Sequence, residues 1–159
     1  MNWMPLLSTL TGAVIGIAAT LTADRNRWRR EERRHAREER REVYTEYVSA
    51  LKAAGEEIRA VALGDHMSES SRAAAVREAF RSSGLHTASE RLWLMGPPQV
   101  VTAANEAFHS LRRIRDAYVE GAAVQSAEDE PLIAQRRTAM ARMRDHMRED
   151  LGVEPLGFE

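Results

Sequence analysis

The chain has 159 residues, 43% apolar and 30% charged, with a formal net charge of −1 and no cysteine. That length suits one domain of about 100–150 residues plus an appendage, and does not suit two catalytic domains. The missing cysteines exclude disulfides, Cys-ligated zinc, iron–sulfur centres and thiol catalysis, and the balanced charge argues against a generally basic nucleic-acid binder.

From Trp3 to Ala23 no side chain is charged. As a helix this stretch would span about 30 Å, close to the hydrocarbon thickness of a bilayer. Its threonines are compatible with that setting, because a helical hydroxyl can bond a carbonyl one turn back. Trp3 and Trp28 flank the stretch as interfacial anchors do. A cleaved signal peptide fits less well: no Lys or Arg precedes the apolar run, and Leu21 spoils a cut after Ala23. Arg25 to Arg41 then holds nine arginines. Such a block resists translocation, so the expected topology in the cell membrane is a single pass, N-terminus outside and C-terminal region cytoplasmic.

Gly12 and Gly16 are four apart within that stretch and would share a helix face. A small-residue face lets a second helix approach closely, which suggests a homo-oligomer. Residues 24–42 carry opposite charges at helical-neighbour spacing, including Arg27/Glu31, Glu31/Arg34, Arg34/Glu38 and Glu38/Arg41. Each pair adds about 0.2–0.5 kcal/mol and keeps a polar helical stalk continuous. The interleaved glutamates repel phosphates and argue against nucleic acid. Arg25, Arg27, Arg29 and Arg30 precede the first glutamate and are placed for anionic lipid headgroups.

From residue 43 the pattern turns amphipathic. Tyr44, Leu51 and Ile58 are seven apart, with Tyr47, Ala54 and Val61 between them. This coiled-coil-like stripe must be buried, either within one bundle or against another copy. Gly64-Asp65 predicts its end, and Ser68 to Ser71 offers caps for a second helix from Arg72 to about Met95. That helix should turn Val76, Phe80, Leu85, Ala88, Leu92 and Met95 inward, with Ser82-Ser83-Gly84 as a point where it can kink or split. Gly96-Pro97-Pro98 marks the next boundary. A third helix, about Pro98 to Val119, should bury Val101, Ala104, Phe108, Leu111 and Tyr118. After a polar loop, a fourth helix from Pro131 to about Leu151 should turn Leu132, Ala139, Met140, Met143, Met147 and Leu151 inward, and Gly152 should stop it. The expected protein is all-α: a transmembrane helix over 3–23, a charged stalk over 24–42, an antiparallel helical bundle over 43–152 and a loosely ordered tail over 153–159.

The order of features, with Arg41-Glu42-Val43-Tyr44-Thr45-Glu46-Tyr47, Leu94-Met95-Gly96-Pro97-Pro98-Gln99-Val100-Val101 and Met147-Arg148-Glu149-Asp150-Leu151-Gly152, resembles a group of uncharacterised actinobacterial membrane proteins with an N-terminal anchor, an Arg-rich stalk and a cytosolic helical region. The resemblance implies a membrane-attached bundle and no chemistry. The layout is also similar to the b subunit of the ATP synthase peripheral stalk, but that subunit keeps one long helix, whereas Gly64, Gly96-Pro97-Pro98 and Pro131 cut this chain into segments.

Chemistry-bearing residues are sparse. Glu106-x-x-His109 has the spacing of carboxylate-bridged di-metal bundles, but the second pair and further buried carboxylates such a site needs are missing from the pattern. Ser83, His86 and Glu90 lie within one helical stretch, which does not supply the strand–turn geometry of a nucleophile elbow. No phosphate-loop, dinucleotide or zinc-protease motif occurs. The expectation is a non-enzymatic protein without cofactor that contacts the bilayer, itself and unknown protein partners. The alternative is a phage- or toxin-like effector acting on the membrane through an oligomerised span.

Overall fold

The computed structural model describes residues 4–65 and 68–157, with side chains at 25, 27–29 and from 31 onward. Among these residues the chain forms five helices, α1 Met4–Leu63, α2 Glu69–Ser82, α3 Leu85–Met95, α4 Pro98–Glu120 and α5 Asp129–Asp150, and no strand. Two compact units are distinguished, Met1–Glu39 and Arg40–Glu159. In the first, Arg27 Nε meets Glu31 Oε1 at 3.3 Å, one of the expected one-turn pairs. Among the described residues no helix is long and apolar enough to cross a membrane; the side chains of the expected span, 3–23, lie outside them.

The second unit is the helical bundle. Its start and stop signals act much as read from the sequence. Gly64 follows the last residue of α1, and the Ser68 hydroxyl accepts the Ser71 amide at 3.1 Å to cap α2, which begins at Glu69 and not Arg72. The expected second helix is divided in two. Ser82 and Ser83 donate their hydroxyls to the carbonyls of Glu78 and Phe80, at 2.9 and 2.8 Å. Gly84 then takes φ +70°, a left-handed conformation that costs any other L-residue about 1–2 kcal/mol. The amide of Gly96 closes α3 on the Leu92 carbonyl at 2.8 Å, and Pro98 opens α4.

One core joins all five helices. Tyr44, Tyr47, Leu51, Ala54 and Ile58 of α1 are buried against Val76 and Phe80 of α2, Leu85 and Leu92 of α3, Leu111 and Tyr118 of α4, and the three methionines of α5. Helices α1 and α5 run antiparallel, since Tyr44 reaches the end of α5 at Asp150 (2.8 Å) while Leu51 meets its middle at Arg136 (3.0 Å). The Arg136 guanidinium lies over Gly55, where a Cβ would overlap it, and donates to the Leu51 carbonyl. Burial of that guanidinium lowers its pKa.

Three inward assignments on α3 and α4 are corrected. Met95 is 41% exposed, because α3 ends there and its last turn leaves the core. On α4 it is Val100 that is fully buried, with Val101 and Phe108 only partly so. The buried face of α4 runs 100, 103, 104, 107, 110, 111, 114 and 118, one position earlier at its start than expected. The sequence reading also passed over Asp129. Its carboxylate is buried at the first turn of α5, where the helix dipole favours a negative charge. Its Oδ2 accepts both the Tyr118 hydroxyl and the Gln125 amide at 2.9 Å, which fastens the loop between α4 and α5. Past Gly152 the tail turns back along α5: Leu156 N donates to Asp145 Oδ1 at 2.9 Å and Arg148 Nε to the Glu154 carbonyl at 2.7 Å. These bonds hold residues 154–156, part of the tail expected to be loosely ordered.

Candidate functional site

The residues expected to associate helices part into two groups. Gly12 and Gly16 lie outside the described side chains, as does Arg30. Tyr44, Tyr47, Leu51 and Ile58 are 0–3% exposed, packed within one chain. Tyr44 donates to Asp150 Oδ2, which also forms an ion pair with Arg40 (Nε at 2.9 Å), and Tyr47 donates to the Ala104 carbonyl at 2.9 Å. Burial raises the pKa of both phenols, and for Tyr44 the neighbouring Asp150 carboxylate adds to the effect. The expected lipid contacts Arg25, Arg27 and Arg29 are exposed, as is Trp28.

The chemical candidates separate. Ser83 spends its hydroxyl on the Phe80 carbonyl, while His86 packs edge-on against Phe80 and Phe108 at 5.7 and 5.6 Å, so the two are committed to different neighbours. Glu106 and His109 are both exposed on α4 and line a groove against α5 with Arg113, Thr138 and Arg142. Among the described residues no group of three His, Cys, Asp or Glu side chains is placed to hold a metal ion.

What the bundle does assemble is a basic recess of about 420 Å³ between α2, α3 and α4. Its lining holds Arg77 and Arg81 of α2, His86 of α3, and Arg112 and Arg115 of α4, over an aromatic floor of Phe80 and Phe108. Helical spacing explains the arrangement. Arg77 and Arg81 are one turn apart and straddle Phe80, and Phe108 is followed on the same side of α4 by Arg112 and Arg115. The two phenylalanine rings meet at 5.8 Å, so their contact brings both arginine pairs to one place.

Arg115 is held more firmly than the others. Its guanidinium lies 4.6 Å from the centre of the Phe80 ring, and its Nε bonds Asp116 at 2.9 Å. Arg81 pairs with Glu78 at 2.8 Å on the exposed face of α2. Arg77 and Arg112 make no ion pair among the described residues. This cluster escaped the sequence reading because its halves are about thirty residues apart and neither is unusual alone. The available signal was an aromatic flanked by one-turn arginines on two helices. Beside it, Trp93, Leu94 and Met95 form an exposed apolar end to α3, with Trp93 Nε1 donating to Asn105 Oδ1 of α4 at 3.1 Å.

No family model, curated protein or solved structure matches this chain.

Proposed function

We propose that the protein is a non-enzymatic, membrane-anchored helical-bundle module that self-associates through its N-terminal span and presents its bundle to partners on the cytoplasmic face. The observation that carries this reading is the closed core: the heptad stripe of α1, Tyr44, Leu51 and Ile58, is buried within one copy. Self-association then falls to the Gly12 and Gly16 face of the uncharged stretch, where bare backbone permits close packing. Arg25, Arg27, Arg29 and Arg30 supply the positive flank that holds the following residues inside and meets anionic headgroups.

Topology is tested with fusions after Glu159. A reporter fluorescent only in the cytoplasm is expected to be bright and an alkaline phosphatase fusion inactive; the reverse pattern, or recovery of the chain in the soluble fraction, overturns the anchor. Assembly is tested by cross-linking in membranes. Wild type is expected to give a dimer or higher species, and replacing Gly12 and Gly16 with Ile is expected to remove it while insertion persists, since apolarity is kept and close approach is not. A wild-type monomer sinks the self-association.

A further inference from the structure

We infer that the recess formed by Arg77, Arg81, Arg112 and Arg115 over Phe80 and Phe108 is a binding site for a ligand bearing clustered phosphate groups. This goes beyond the anchored-module reading and stands or falls independently of it.

Three observations converge. The first is unbalanced charge: four guanidiniums line the recess and Asp116 is its single acid. Arg77 and Arg81 are one turn apart on α2, and only Arg81 is offset by an acid, Glu78; like charges at that spacing destabilise a helix by a few tenths of a kcal/mol, which a bound anion would relieve. The second is preorganisation. Arg115 is stacked on Phe80, with its side chain 17% exposed, and Asp116 orients it. Phe80 itself is buried in the core, so the floor is fixed to the fold. The third is availability: Arg77 and Arg112, one from each helix, are exposed and have no acidic partner among the described residues.

Guanidinium forks match phosphate oxygens in pairs, and a site built from two helices suits two adjacent phosphates better than one. At about 420 Å³ the recess has room for a multi-atom anion, against roughly 30 Å³ for a water in the liquid.

Such phosphates can belong to a free pyrophosphate or nucleotide, or to the headgroup of an anionic lipid. The full-length chain in a non-ionic detergent is titrated with inorganic pyrophosphate and with adenosine diphosphate, and separately offered vesicles with and without cardiolipin, whose headgroup carries two phosphates. Binding of either soluble probe, weakened by salt, is expected. In an Arg77→Gln/Arg112→Gln variant it should fall by roughly tenfold or more, the loss of charge-assisted contacts to a phosphate. An Arg59→Gln/Arg137→Gln variant removes equal charge elsewhere and should bind like wild type. Saturable binding to cardiolipin vesicles that needs Arg77 and Arg112, without binding of either soluble probe, assigns the same chemistry to a headgroup. Far-ultraviolet circular dichroism checks that each variant is folded. If a folded Arg77→Gln/Arg112→Gln protein binds every probe as wild type does, or wild type binds none, the site is overturned. Should that pair fail to fold, Arg112→Lys alone carries the test: it keeps the charge but loses the fork, and unchanged pyrophosphate binding overturns the proposal.

Discussion

Replacing Leu51 with aspartate is expected to abolish cooperative folding of the bundle. Leu51 is fully buried at the centre of the α1 stripe. The substitution forfeits about 2–3 kcal/mol of apolar burial. It also places a carboxylate with no partner in the core, at a further several kcal/mol. A domain of this size is stable by about 5–15 kcal/mol in all, so the combined loss removes most or all of it. Thermal circular dichroism should show no sigmoidal transition. Leu63→Asp is the comparison, since Leu63 is 62% exposed and such surface changes stay within about 0.5 kcal/mol. A Leu51→Asp protein that melts like wild type but has lost a dimer would instead put the stripe between copies.

Alkaline unfolding is the second large expected effect. All three tyrosines of the chain, Tyr44, Tyr47 and Tyr118, are buried in the bundle core. Desolvation raises the pKa of each, helped at Tyr44 by Asp150 and at Tyr118 by Asp129, whose carboxylates accept hydrogen bonds from the phenols. A folded-state pKa above the unfolded value, near 10, means the folded chain keeps protons that the unfolded chain releases. The resulting stability is fully present below pH 10 and is lost as pH rises through the folded values. Each phenol contributes a slope of about 1.4 kcal/mol per pH unit in that window, so the three together remove about 4 kcal/mol per unit. Tyrosinate absorbance and loss of helix signal should therefore rise together, in one steep transition. Titration of the phenols near pH 10 with the helices intact would show that they are not buried.

The bundle was largely legible because amphipathic helices announce themselves by period. Tyr44, Leu51 and Ile58, and the methionines at 140, 143 and 147, are inside as their spacing requires. Capping chemistry was legible too, as at Ser68 and Gly96, since a helix end must satisfy its own amides and carbonyls. Finer choices were not. Val100 and Val101 are adjacent and chemically alike, and only the way α4 crosses its neighbours decides which enters the core. Phe108 reads as core by period but sits at the edge, where it becomes part of the floor of a basic recess. That recess depends on contacts between helices far apart in the chain. Likewise, the role of Asp129 depends on Tyr118 arriving beside it, and nothing in its local sequence signals a buried carboxylate.

The notch at Gly55 gives the bundle a register stop. Helices packed by apolar ridges can in principle slip past each other by a turn, about 5.4 Å, with little change in the character of the contact. Between residues 40 and 63 of α1, Gly55 is the only position without a Cβ. A one-turn slide of α5 in either direction would carry the Arg136 guanidinium from bare backbone onto Leu51 or Lys52, or onto Ile58 or Arg59. The hydrogen bond to the Leu51 carbonyl would then be lost and its buried charge left without an acceptor. The bare backbone at Gly55 and the bond to the Leu51 carbonyl thus favour one alignment of α1 and α5 among several that apolar packing alone would tolerate.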